Sequence, residues 1–90
     1  MLLVSYDISD TKLRTHFSKF LSKYGHRLQY SVFEIKNSSR ILGLIQLEIQ
    51  NTFMKRFSQA DSIFIFETGA SCKITRYGYA KNDESDCIII

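Results

Sequence analysis

Few side chains in this chain have the chemistry to hold a metal ion or help break a bond, and Asp7 is the first of them. It closes the run Leu2-Leu3-Val4-Ser5-Tyr6-Asp7-Ile8. A run this short and apolar predicts a strand buried on both faces. A carboxylate left there carries a desolvation cost unless it has a partner or a ligand. In one reading Asp7 caps the helix that follows or pairs with Arg14 or Arg27. In the other it binds a hard cation. Magnesium takes few protein ligands and keeps waters that can attack phosphorus. One carboxylate is thin for such a site, so this reading needs a second copy of the chain, with Asp7 and its copy meeting across a two-fold axis. The ion would then relieve their repulsion.

The other polar residues make narrower offers. There is no glycine-rich phosphate loop, no Cys/His metal box and no G-x-S-x-G, and no Ser/His/Asp set can be read by spacing. His16 and His26 read as surface histidines. Asp10 reads as a helix cap, and Glu34 as the partner of a basic residue. Lys12, Arg14, His16, Lys19 and Lys23 fill the polar side of one helical segment. That side is either simply solvated or faces phosphate, and the pattern alone leaves both readings open.

The elements that must position these residues follow from periodicity. Ser9, Asp10 and Thr11 are all N-cap types. Leu13, Phe17, Phe20, Leu21 and Tyr24 then recur at helical spacing, predicting a helix over about residues 10–24 that Gly25 ends. Between residues 27 and 36 the alternation slips by one near Ser31 and Val32, which predicts a bulge or two strands with a break. After the capping stretch Asn37-Ser38-Ser39, Ile41, Leu42, Ile45, Ile49, Phe53 and Phe57 define a second helix over residues 39–57. Residues 62–66 form another strand apolar on both faces, and residues 72–79 a weaker last one. Two helices on one face of a four-stranded sheet is the simplest α+β solution, the ferredoxin-like layout. The other sheet face is then uncovered, and a second copy is the simplest partner to bury it.

Composition agrees. Ninety residues make one domain, read as a folded body over residues 1–80 and a tail over 81–90. The apolar fraction of 44% and aromatic fraction of 13% argue against disorder. Residues 1–80 hold 11 of the 12 basic side chains and 6 of the 9 acidic ones, a net +5 that favours polyanionic partners. Met1-Leu2-Leu3-Val4 lacks a basic leader, and no stretch approaches the roughly 20 apolar residues of a membrane span. A cytoplasmic protein with no membrane partner is expected, with Cys72 and Cys87 as reduced thiols.

Four blocks in this order are specific together: Tyr6-Asp7-Ile8-Ser9-Asp10; Leu13-Arg14; Tyr24-Gly25 followed by Arg27-Leu28-Gln29-Tyr30-Ser31-Val32-Phe33-Glu34; and Asp61-Ser62-Ile63-Phe64-Ile65-Phe66. Over about residues 2–78 the chain resembles the CRISPR-associated protein 2 family. The resemblance implies a ferredoxin-like βαββαβ core with an extra C-terminal strand. It implies a homodimer whose last strand pairs with the partner protomer's sheet. It also implies the small subunit of the CRISPR adaptation complex, which bridges dimers of the CRISPR-associated protein 1 integrase and holds duplex DNA during spacer acquisition. Many members look like metal-dependent endonucleases acting on RNA or DNA. Their acidic position matches Asp7, and the neighbouring positions match Tyr6, Arg14, Arg27 and Phe33. The chain departs from the pattern after Glu34, where Ile35-Lys36-Asn37 replaces the usual Gly, and in having Cys72 alone after the Asp61-Ser62 strand.

Two functions are therefore expected of one dimer. As a scaffold it would bind duplex phosphates through Lys12, Arg14, Lys19, Lys23 and Arg27 without reading sequence. As an enzyme it would hold Mg2+, or another divalent cation, on paired Asp7 residues. The alternatives are a toxin-type metal-dependent ribonuclease on a related fold and a non-catalytic ferredoxin-like regulatory module. Cys87, Ile88, Ile89 and Ile90 have the composition of a strand that adds to an edge of the integrase partner.

Overall fold

The computed structural model describes residues 1–69 and 71–78. In chain order these form β1 (Leu2–Asp7), α1 (Thr11–Ser22), β2 (Gly25–Gln29), β3 (Val32–Ile35), α2 (Ser39–Glu48), β4 (Ser62–Glu67) and β5 (Lys73–Gly78). The five strands make one antiparallel sheet in the order β2-β3-β1-β4-β5. β1 lies in the middle because it is apolar enough to accept a strand on each edge and helices on one face. The fold is the expected α+β, ferredoxin-like arrangement with a fifth strand added.

Alternation along β1 sends Leu2, Val4 and Tyr6 into the core and Leu3, Ser5 and Asp7 to the opposite face. The expectation that β1 is buried on both faces needs correction: its second face is only half-covered, and Asp7 is exposed. Both helices pack on the first face. The side chains of Leu13, Phe17 and Leu21 on α1 meet Ile45, Ile49 and Phe53 in one buried cluster with β1, β3 and β4. Phe17 is its hub, edge-on to Tyr6 at 5.2 Å and to Phe53 at 4.8 Å between ring centroids.

The second helix is not one uniform α-helix over residues 39–57. It runs as α2, then a π-helical turn (Ile49–Phe53), then a 3-10 turn (Met54–Arg56). The spacing explains this. Ile45, Ile49 and Phe53 sit four apart, which drifts by about 40° per step around a regular helix. The wider turn cancels the drift, and all three stay fully buried.

Residues 27–36 resolve into β2 and β3, joined by a two-residue turn at Tyr30 and Ser31. The slip in alternation near Ser31 and Val32 falls at this turn, and a separate register shift lies between Arg27 and Gln29 in β2. Gly25 does not terminate α1, which already ends at Lys23 in helical geometry. Instead it opens β2, and a Cβ there would overlap the Glu34 carbonyl oxygen, so glycine permits the strands to approach. The last strand, β5, pairs with β4 of its own chain from Ser62↔Gly78 to Glu67↔Lys73. The short 68–72 connection allows this hairpin, which satisfies backbone groups that β4 would otherwise leave bare at an edge.

Gly43 lies exposed within α2, and a Cβ built on it meets nothing within 4 Å. Gly43→Ala should therefore raise stability by about 0.5–1 kcal/mol by restricting the unfolded chain. Urea denaturation should show a higher midpoint at unchanged slope. No helix among the described residues is long and apolar enough to cross a membrane.

Candidate functional site

Asp7 is the last residue of β1 and pairs across the sheet with Ser62 of β4. Its carboxylate is exposed and, among the described residues, has no hydrogen-bond or ion-pair partner. It neither caps α1 nor pairs with Arg14 or Arg27. The cap is Asp10, whose Oδ2 accepts from the Leu13 backbone N–H at 2.8 Å. Arg14 is committed elsewhere. Its Nη1 donates to the carbonyls of Ile8 at 2.9 Å and Ser9 at 3.4 Å, and its Nη2 to Thr11 Oγ1 at 3.3 Å. These bonds hold the guanidinium against the β1–α1 loop. There it lines, with Ser5, Tyr6, Asp7, Ile8, Tyr30 and Ser31, a cavity of about 390 Å³.

A second cavity, of about 220 Å³, shares Tyr6, Arg14 and Tyr30 with the first. Arg27, Thr15 and Ser18 complete its wall. The Arg27 guanidinium sits over the Phe33 ring, 5.2 Å from its centroid. Phe33 itself is 1% exposed, so it serves as a platform beneath Arg27. The Tyr6 hydroxyl donates to the Tyr30 carbonyl at 3.4 Å. Burial raises the Tyr6 pKa, a shift the positive charges of Arg27 and Arg14 oppose without cancelling, so the hydroxyl keeps its proton at neutral pH. Tyr6, Arg14, Arg27 and Phe33 thus converge, and Asp7 opens on the neighbouring cavity that Tyr6 and Arg14 share.

The five basic residues named from sequence do not form one surface. Lys12 and Lys19, with Thr11, Thr15 and His16, surround a separate hollow of about 360 Å³ on the flank of α1 away from Arg27. His16 lies against Phe53, with 5.2 Å between ring centroids. Lys23 follows at the C-terminal cap of the same helix. His26 and Glu34 face each other across β2 and β3 at 3.6 Å, both at the surface.

Asp61 is the residue that sequence reasoning passed over. It is 1% exposed. Its Oδ1 accepts from the Ser9 N–H at 2.9 Å and the Ser9 hydroxyl at 3.0 Å, and its Oδ2 from the Ser58 N–H at 2.9 Å. Burial alone would raise its pKa, but the hydrogen bonds from Ser9 and Ser58 outweigh it and hold the carboxyl below its ordinary value. This clamp ties the loop after Asp7 to the loop before Ser62, and so fixes the end of β1. Gly78, at φ 103°, packs on the Asp61 carbonyl, where a Cβ would overlap it. The signal was present, since Asp61 abuts an apolar run as Asp7 does.

Among the described residues no group of three or more His, Cys, Asp or Glu side chains could enclose a metal. Among the described residues, Asp7 is the one carboxylate lining the two cavities. An exposed, unpartnered carboxylate does suit a cation that keeps most of its waters. Cys72 is disulfide-bonded, which corrects the expectation of reduced thiols. Cys87, Ile88, Ile89 and Ile90 lie outside the described residues.

Residues 1–76 match the sequence model of the family described as CRISPR associated protein Cas2. The chain is 29% identical over 90 residues to "CRISPR-associated endoribonuclease Cas2 2" of Methanospirillum hungatei, covering 98% of this chain and 97% of that protein. It is 33% identical over 78 residues to "CRISPR-associated endoribonuclease Cas2" of Mycobacterium tuberculosis, covering 86% and 65% respectively. It is 32% identical over 74 residues to "CRISPR-associated endoribonuclease Cas2 4" of Rhodospirillum rubrum, covering 82% and 57%. The chain thus spans nearly the whole of the first relative and under two thirds of the other two. No solved structure matches the chain at a significant level.

Proposed function

The chain belongs to the CRISPR-associated protein Cas2 family, and from that premise we propose that it is a homodimeric CRISPR adaptation protein. In this reading the dimer bridges dimers of the CRISPR-associated protein 1 integrase, holds duplex DNA during spacer acquisition, and cleaves RNA or DNA phosphodiesters in a metal-dependent way. The observation that carries the reading is Asp7: a carboxylate exposed at the end of the central strand, without a partner among the described residues, beside an arginine-walled cavity.

The dimer is supported by the sheet face that neither α1 nor α2 covers. Leu3, Val32, Phe64, Phe66 and Ile74 lie half-buried there, and the Phe64 and Phe66 rings stack with centroids 6.1 Å apart. A second copy would bury this apolar surface and bring the Asp7 residues of both copies together.

For cleavage, the residues divide the work as follows. Asp7 and its copy would hold the cation. Arg14, preset by its bonds to the β1–α1 loop, turns its remaining N–H groups toward a phosphate oxygen. Arg27 takes a second oxygen from its place over Phe33. Tyr6, its hydroxyl donated to the Tyr30 carbonyl, forms part of the wall between them. A bound magnesium ion would supply charge neutralisation and an activated water. Lys12, Lys19 and Lys23 hold the backbone of the duplex farther along α1, independent of its sequence.

The test mixes the purified chain with its integrase partner and a DNA duplex. One species containing all three is expected by analytical ultracentrifugation, and separate sedimentation would overturn the scaffold reading. Duplex affinity should fall steeply with salt. The double variant Lys12→Gln/Lys19→Gln should flatten the log–log salt slope by about 2, since each lost phosphate contact removes about 0.9.

A further inference from the structure

Tyr30 does not enter the scheme above, yet it is the most exposed large side chain with apolar character among the described residues, at 69%. Its ring stacks on no other aromatic ring there, and its hydroxyl has no hydrogen-bond partner there. The turn that presents it is nevertheless held firmly. Its carbonyl accepts the Tyr6 hydroxyl at 3.4 Å, and the Ser31 carbonyl accepts the Tyr6 N–H at 3.1 Å. A large aromatic ring is therefore held in water by a tethered two-residue turn on the rim of both cavities.

The surroundings identify what the ring meets. On one side are Arg14 and Arg27, neither paired with a carboxylate among the described residues. On the other are Arg14 again and Asp7. A small hollow walled by two guanidinium groups suits a phosphate, and an exposed aromatic face beside it suits the base of the same nucleotide. Bases in a duplex present only their edges, so a ring can stack only on a base that is unpaired.

We propose that Tyr30 is a nucleobase-stacking residue: it receives an unpaired base of single-stranded RNA or DNA while Arg27 and Arg14 take the adjoining phosphate. The assignment rests on the nucleic-acid reading above and makes the site selective for single-stranded segments. Stacking on Tyr30 tolerates any base, because each presents a π-face. It also positions the strand, since a base fixed on the rim places the next phosphodiester toward Asp7.

The experiment measures fluorescence anisotropy of short labelled single strands, in RNA and DNA versions, together with an abasic strand of equal charge and a duplex, at several salt concentrations. Tyr30→Ala should weaken single-strand binding by about tenfold, the effect of losing one aromatic stack. The salt slope should not change, because a neutral side chain releases no counterions. Tyr30→Trp and Tyr30→Phe should retain binding. The abasic strand and the duplex should bind Tyr30→Ala and wild type alike. Equal weakening of all ligands by Tyr30→Ala, or single-strand binding unchanged from wild type, overturns the stacking assignment alone. A wild-type chain that binds neither duplex nor single strand overturns the nucleic-acid reading and this assignment with it.

Discussion

Asp7→Asn is expected to lower magnesium-dependent cleavage of RNA by at least about 100-fold while leaving the fold and nucleic-acid binding intact. The magnitude follows from the position. Loss of a residue that merely orients a metal ligand costs about 10–100-fold, and Asp7 is the one carboxylate among the described residues that lines the proposed site. The selectivity follows from the exposure. The side chain has no hydrogen bond to lose among the described residues, so the unfolding midpoint should move by no more than a surface substitution does, about 0.5 kcal/mol. Cleavage by the wild type with and without chelator is the reference. Equal cleavage by Asp7→Asn would remove Asp7 from the chemistry, and retained complex formation with the integrase partner would separate the scaffold role from it.

Asp61→Ala is expected to cost about 3 kcal/mol of folding stability, because it orphans the Ser9 and Ser58 N–H groups that the buried carboxylate now satisfies. For a domain of this size that lowers Tm by roughly 12–24 °C. Asparagine does not rescue it. Both carboxylate oxygens accept hydrogen bonds, and one end of the amide would turn an NH2 group onto a donor. The pH dependence gives a second readout. The folded-state pKa of Asp61 is lowered from the ordinary 3.8, so its contribution is fully present above that value. It is lost as pH falls through the folded-state pKa. The gap between wild type and Asp61→Ala, measured by denaturation, should hold steady from pH 7 to about pH 5 and narrow below about pH 4. A gap that widens on acidification would contradict the assignment. Because Asp61 holds the loop after β1, the variant should also lose cleavage, although it never touches substrate.

These two aspartates separate what was legible in the chain from what was not. Both sit beside apolar strands, and the sequence singled out Asp7 as the charge needing an explanation. It placed Asp7 at the end of β1, as found, and was wrong about the burial. A periodicity argument sees only neighbours two or four residues away, and the Leu2–Asp7 run is apolar enough to be covered on both sides. Coverage depends on α1 and α2, which pack on one face only. Asp61 was missed for the same reason. Its partner Ser9 lies 52 residues away in sequence, and no local pattern encodes that distance.

The sequence by itself determined the elements, the caps and the family. Asp10 and Ser38 accept from the N–H groups three residues on. The phase slip near Ser31 marks the turn between β2 and β3, and the ordered blocks from Tyr6 to Phe66 identify the family. These are properties of adjacent residues, set by backbone sterics and side-chain period. Only the tertiary structure decided which residues share a surface. It placed Lys12 and Lys19 on one flank of α1, and Arg14 with Arg27 on the other. It paired β5 with β4 of the same chain, set Asp7 free on the open face, and locked Asp61 beneath it. Those outcomes depend on long-range packing, in which each face of a strand or helix is assigned by whatever element the rest of the chain brings against it.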